Sequence, residues 1–252
     1  MTNTTSFADW QAKAKALTIR SQAFIDGEYV DAVSGKTFSC ISPSDGTCLA
    51  RIAECESADV ELAVAAARRA FDAGVWSEAS PVHRKKTLQK FARLIEQHAE
   101  ELALLESLDM GKPVADALSI DVSASVRCLD WTAEAIDKVY GEIAPTPQHE
   151  LGLITREPLG IIAAIVPWNF PLLMATWKFA PALAAGNSVI LKPSEKSPLS
   201  AIRIAALALE AGIPAGVFNV LPGFGKGAGE PLALHMDVDG LVFTGSTGVG
   251  KH

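Results

Sequence analysis

Cysteine is scarce in this sequence: 252 residues hold four, at Cys40, Cys48, Cys55 and Cys128. None forms a C-x-x-C pair or stands at ligand spacing from a histidine, so a zinc site and a disulfide framework drop out and no metal is expected. What remains is the reading of small, half-buried hydrophobes in a reducing compartment. No cysteine follows Cys128, so nothing after that position offers a thiol nucleophile. Basic residues are short as well, 22 Lys and Arg against 29 Asp and Glu, for a formal net charge of −7. Nucleic-acid-binding surfaces are usually basic, which argues against that partner. Long apolar runs are also missing. The longest, "LGIIAAIVP" from Leu159 to Pro167, is too short to cross a bilayer. The N-terminal "MTNTTSFADWQAKAKAL" has no unbroken apolar stretch of the kind a secretory signal needs. A cytoplasmic location without membrane contact is the expectation.

What is present divides the chain by rhythm. From Ala23 to Ile52, short β-like segments alternate with the turn signals "IDGEY", "VSGK" and "SPSDG". Helices follow. Ser57 is a candidate N-cap for a run with Val60, Val64, Ala67 and Phe71 on one face. Ser80 before Pro81 is a second start signal, with Leu88, Phe91, Leu94 and Ile95 as the apolar stripe. A third helix should stop at "DMGKP", and a fourth should run from about Ala115 to Tyr140. Residues 141–159 read as an extended ribbon carrying Ile143, Leu151, Leu153 and Ile154. Such a ribbon can serve as an oligomerisation arm or as an internal cover over a sheet edge.

From Gly160 the pattern becomes strand, helix, strand, helix, with strands "IIAAIVP", "SVILKP", "VFNVLP" and "LVFTG". Near-continuous apolar strands joined by helices predict an α/β fold: a parallel, Rossmann-like sheet with helices on both faces. Residues 1–140 would then pack on this core at 160–252, preceding it with short β segments and a helical region. Right-handed crossovers place the four turns "PWNFP", "KPSE", "PGFGKG" and "TGSTGVG" on one edge, where such sheets bind ligands. The usual glycine fingerprint is missing after the first strand. "GFGKGA" matches it after the third, though a loop needing glycines to open a helix explains that equally well. Glu195, after the second strand, stands where a ribose-binding acid belongs and would favour NAD over NADP; a solvated loop acid is the alternative. Lys192 reads either as its partner or as a surface cation.

Taken together, "VPWNFP", "KFAPALAAGNSVILKPSE", "AGIPAGVFNVLPGFG" and "FTGSTGVG" resemble the aldehyde dehydrogenase superfamily over essentially the whole chain, "LDMGKP" included. In texture the sequence is most similar to the bacterial gamma-glutamyl-gamma-aminobutyraldehyde and other aminoaldehyde dehydrogenases of polyamine catabolism. The resemblance implies NAD-dependent oxidation of a small-molecule aldehyde to a carboxylic acid, in a homodimer or homotetramer. It makes Asn169 the oxyanion donor, a role worth roughly 3–4 kcal/mol in analogous sites; a plain turn residue is the alternative. It assigns Lys178 to proton relay, against a helix lysine paired with a carboxylate. It places Lys192 and Glu195 on the adenosine ribose, Gly225 and Gly229 beside the adenine, and Pro167 and Trp168 as a wall near the phosphates. Gly245, Ser246 and Val249 form its phosphate turn, and Ile165 and Phe243 complete the cofactor set.

The same resemblance requires a cysteine nucleophile and a glutamate that activates water, both downstream of the phosphate turn and both outside these residues. The expectation is therefore the N-terminal half of such an enzyme, without its catalytic domain and inactive alone. A free-standing, non-catalytic nucleotide-binding or assembly module is the alternative.

Overall fold

A computed structural model describes residues 6–252; the first five residues of the N-terminal stretch read above as lacking an apolar leader lie outside these. Helix α1 (Phe7–Ala16) is followed by two hairpins, β1 (Ala23–Ile25) with β2 (Glu28–Val30) and β3 (Thr37–Ile41) with β4 (Cys48–Ala53). The first turns on Asp26 and Gly27, both at positive φ (54° and 84°), as a two-residue hairpin turn demands. Helices α2 (Ser57–Asp72), α3 (Pro81–Gln97) and α4 (Ala99–Met110) come next. Ser80 caps α3, accepting from the His83 N–H, and Gly111 ends α4 in the left-handed region at φ 80°, both as read from the sequence.

Ser57 is not the cap of α2. The helix is entered at Glu56, whose N–H donates to the Asp59 carboxylate at 2.8 Å. Asp59 is buried and also accepts from the Val33 N–H at 2.8 Å. A buried acid needing two donors fixes the helix start one residue before the serine. The long fourth helix is a composite: α5 (Val114–Asp116), a π-helical turn at Ala117–Val122, and α6 (Ser123–Ala135) ending in a 3₁₀ turn at Lys138.

The ribbon is β5 (Glu142–Ala144) paired antiparallel with β6 (Gly152–Ile154). Among the described residues it pairs only with itself, and Ile143, Leu151 and Leu153 stay exposed, so it does not cover the edge of the main sheet.

The chain then runs β7 (Ile161–Ile165), α7 (Pro171–Ala184), β8 (Ser188–Lys192), α8 (Leu199–Ala211), β9 (Phe218–Val220), a π turn at Gly225–Gly229, α9 (Glu230–Leu234), β10 (Gly240–Phe243) and the single turn α10 (Thr247–Gly250). The main sheet has the order β10-β7-β8-β9-β1-β2. Its first four strands are parallel, as the apolar runs predicted. The N-terminal hairpin extends it, β1 lying antiparallel to β9 with Phe24 opposite Val220.

Alternate residues face two cores. Ile162, Ala164, Val189 and Leu191 join Leu88, Phe91, Phe179 and Phe218 on one side, while Ile161, Ala163 and Ile190 join Val60, Ala63, Val64 and Ala67 of α2 on the other. Both faces are thus covered, the condition for a buried parallel sheet. No described helix is long and apolar enough to cross a membrane.

Candidate functional site

Strand register decides which candidate residues meet. Ile165 is paired with Phe243 on one side and with Lys192 on the other, so these three form a row across adjacent strands where the sheet ends. Gly229 lies over that row: a Cβ built on it comes within 3.8 Å of Lys192 Cδ and 4.0 Å of Ile165 Cδ1. In the wide turn that carries it, the Ala228 and Gly229 N–H groups both donate to the Phe224 carbonyl.

Lys192 is not a surface cation. Its side chain is 4% exposed, its nearest carboxylate oxygen is Glu195 Oε2 at 3.9 Å, and its ammonium makes no hydrogen bond among the described residues. Burial lowers its pKa, against which the Glu195 charge acts. A buried ammonium without an acceptor is costly, so the position suits an oxygen-bearing ligand such as a ribose. Glu195 is one-third exposed and so presents its carboxylate to the same edge from the turn after β8.

The turn after β7 carries Pro167, Trp168 and Asn169. Trp168 is half exposed; its carbonyl accepts from Ser197 Oγ at 3.2 Å, and Lys196 Nζ stands 5.8 Å from its ring. These contacts tie the "PWNFP" turn to the "KPSEKSP" turn. Asn169 is exposed, and its side-chain amide is committed to no hydrogen bond among the described residues.

The glycines differ. At Gly225 a Cβ meets nothing within 4 Å, so the protein itself sets no requirement for glycine there, and a side chain would occupy the open cleft. At Gly245 the Cβ would stand 2.4 Å from Phe243 Cζ; that glycine is explained by the ring packed beneath it. Ser246 Oγ accepts from the Val249 N–H at 3.4 Å, a long contact that leaves its own proton free. Val249 is exposed. Lys178 lies seven residues into α7, about 10 Å along the axis from its start. It is half buried and has no salt bridge among the described residues, which removes the paired-lysine reading without giving it a partner at the site.

Three of the four thiols are set against nucleophilic use by their surroundings. Burial pushes Cys40 up to about 12 and also raises Cys55 and Cys128, the reverse of what a thiolate needs. A cavity of about 500 Å³ opens beside the turns, lined by Phe38, Ile41, Asp109, Trp168, Glu195 and Phe224. Sequence reasoning missed the contributions of β3 and α4 to it. The available signal was the pair Glu106 and Asp109, two acids one helical turn apart in the mostly apolar "LALLESLDM".

Compared with known proteins, residues 29–252 match the aldehyde dehydrogenase family. The chain is 58% identical over 244 residues to the NADP/NAD-dependent aldehyde dehydrogenase PuuC of Escherichia coli (strain K12), covering 97% of this chain and 49% of that protein. Two solved structures each share 63% identity over 97% of this chain and 49% of theirs. They are the P. syringae indole-3-acetaldehyde dehydrogenase AldA, as a mutant in complex with NAD+ and IAA, at a TM-score of 0.96, and the gamma-glutamyl-gamma-aminobutyraldehyde dehydrogenase of Burkholderia cenocepacia J2315, at 0.95. This chain belongs to the aldehyde dehydrogenase family. It spans about half the length of the curated relatives it matches.

Proposed function

We propose that the chain carries the nucleotide-binding and oxyanion-stabilising part of an NAD-dependent enzyme that oxidises aldehydes to carboxylic acids. The observation that supports this most is the row Phe243–Ile165–Lys192 under Gly229, with a buried ammonium that has Glu195 at 3.9 Å but no hydrogen bond among the described residues. On this reading Lys192 donates to ribose hydroxyls and Glu195 accepts from them. Ile165 and Phe243 form an apolar floor, Gly225 and Gly229 leave room for the adenine, and Pro167 and Trp168 wall the phosphates. Gly245, Ser246 and Val249 offer a hydroxyl and backbone donors to the pyrophosphate. Bound NAD supplies the hydride acceptor for the oxidation. Asn169, its amide uncommitted, stabilises alkoxide charge on the aldehyde oxygen, and Lys178 serves proton relay.

The name of the Burkholderia relative, and that of a Pseudomonas aeruginosa aminoacetaldehyde dehydrogenase 48% identical over this chain, support amino-substituted aldehydes as the substrate class, with the indole aldehyde of the P. syringae relative as the alternative. Glu195 repels a 2′-phosphate, but it is one-third exposed and so screened by solvent, which makes the preference for NAD over NADP modest. Four free thiols suit a reducing compartment such as the cytoplasm, and the exposed ribbon suits a homo-oligomer. With no activated thiol beside Asn169, these 252 residues bind cofactor without turning over aldehyde.

Calorimetric titration tests the reading: the wild-type chain should take up NAD, Lys192→Ala should weaken binding, and Glu195→Gln should narrow the gap to NADP. NADH absorbance with an aldehyde present should stay flat. Equal NAD binding by wild type and Lys192→Ala, or turnover that survives replacement of all four cysteines, would sink it.

A further inference from the structure

The turn that carries Asn169 runs straight into α7, and the start of that helix has an unusual problem. Pro171 stands at its first position and Phe170 at its N-cap, with φ −143° and ψ 69° and no side-chain cap. A proline disfavours helical conformation in the residue before it, so the helix cannot begin at Phe170 and Asn169 cannot become its cap. The Leu172 N–H, one of the orphan donors of a helix start, must find its acceptor elsewhere. It finds Glu106 Oε1, 66 residues earlier, at 2.6 Å.

The helix on the other side of β8 repeats the arrangement. α8 starts after Pro198, again without a side-chain cap. Its first amide, at Leu199, donates to Asp109 Oδ2 at 3.0 Å, and the Ser200 hydroxyl donates to the same Glu106 Oε1 at 3.1 Å. One oxygen therefore joins the starts of α7 and α8. Glu106 and Asp109 are both buried, each with its other carboxylate oxygen lacking a partner among the described residues. That arrangement is a poor choice for stability alone. From the same segment Lys112 sets its ammonium 3.7 Å from the Phe170 ring centre and 2.5 Å from Asp121 Oδ2, so the residue next to Asn169 is gripped as well.

We infer that Glu106, seconded by Asp109, is a positioning residue for this site: by capping α7 and α8 from a third helix it fixes the Asn169 turn against the Lys192–Glu195 turn and leaves the polar side chains of both turns free for ligand. The inference rests on the proposed function only for what that ligand is.

The test compares Glu106→Ala, Glu106→Gln and, as a control, Leu102→Ala, which truncates a fully buried residue of the same helix. Amide exchange and the Asn169 side-chain NH₂ resonance are read by NMR on the whole chain, and NAD affinity by calorimetry. Glutamine keeps an acceptor at Oε1. Loss of one buried hydrogen bond should speed Leu172 exchange about tenfold or more in Glu106→Ala, shift the Asn169 resonance, and weaken NAD by a similar factor. Glu106→Gln should restore all three, and Leu102→Ala should leave the Leu172 and Asn169 signals in place whatever its melting point.

Unchanged Leu172 exchange in Glu106→Ala, or equal displacement of both signals by Leu102→Ala, overturns the inference. If Glu106→Ala does not fold, wild type decides. Its Leu172 amide, though in the first turn of α7, should exchange as slowly as interior amides of that helix, and exchange at the rate of an open helix end overturns the role. If the wild-type chain binds no NAD, the functional reading falls, while the exchange data still settle whether Glu106 holds the turn.

Discussion

Strands β8 and β10 flank the same central strand in the same parallel sense, and each hands over to a turn of the site, yet they are held differently. β8 is buried at all five positions, whereas β10 has no fully buried residue and leaves Leu241 half exposed. The helices before and after β8 are anchored by buried carboxylates from α4. The turn after β10 relies on its own Ser246 and on the Phe243 ring tucked under Gly245. The β8 side of the site is thus ordered by the protein's own packing. The β10 side stands at the edge of the sheet formed by the described residues and is held by fewer buried contacts.

The contrast is broken most directly in the core. Ile190→Ala in β8 should cost about 2–5 kcal/mol, and Val242→Ala in half-buried β10 less than about 1.5 kcal/mol; denaturant titration of the two would erase the distinction if the losses matched. The next effect is pH-dependent. Burial pushes the Glu106 carboxyl from 4.5 up to about 7, so the native state holds this proton more tightly than the unfolded chain. Its stabilising contribution is full below about 4.5 and is lost as pH rises to about 7, a swing of roughly 3 kcal/mol. Asp109, also raised by burial, acts in the same direction. Glu106→Gln should therefore gain on wild type between pH 5 and 8, and parallel stability curves would contradict the buried-charge account.

Association comes third. The exposed ribbon and the β10 edge should make the chain self-associate. Ile143→Ser with Leu153→Ser should weaken that by about tenfold or more, given ~1.5–3 kcal/mol per buried aliphatic side chain. A monodisperse wild-type monomer in light scattering would instead favour a self-sufficient module. The smallest effect belongs to Ser246→Ala. Removing a long cap contact on a one-turn helix should cost under about 1 kcal/mol, visible as faster exchange at Val249 while the melting point stays put; a large drop would mean the β10 side is better knit than its exposure implies.

The sequence disclosed the parallel strands because each is a short apolar run bounded by glycine or proline, and it disclosed α3 because Ser80–Pro81 is a local signal. Residues on one turn, such as Trp168 and Asn169, could be grouped for the same reason. What stayed hidden depends on pairings distant along the chain. The three-residue β1 joins β9 across nearly two hundred positions with nothing in "AFI" to announce it. Glu106 and Asp109 looked like ordinary helix acids until the helices they cap lay beside them. The Lys192 ammonium carried the surface reading because a lysine's burial depends on neighbours that its own strand does not name.

The two carboxylates of α4 also bear on how this protein can be divided and recombined. By sequence rhythm the cut falls near residue 160, but the acceptor of Leu172 lies 66 residues upstream and that of Leu199 lies 90 upstream. A chimera that exchanges the stretch from β7 onward with a relative separates donors from acceptors, leaving orphan amides on one parent's helices and buried carboxyls without their partners in the other's. Positions 106 and 109 therefore travel with the strands and turns of the site, and a crossover that respects them has to be placed before α4.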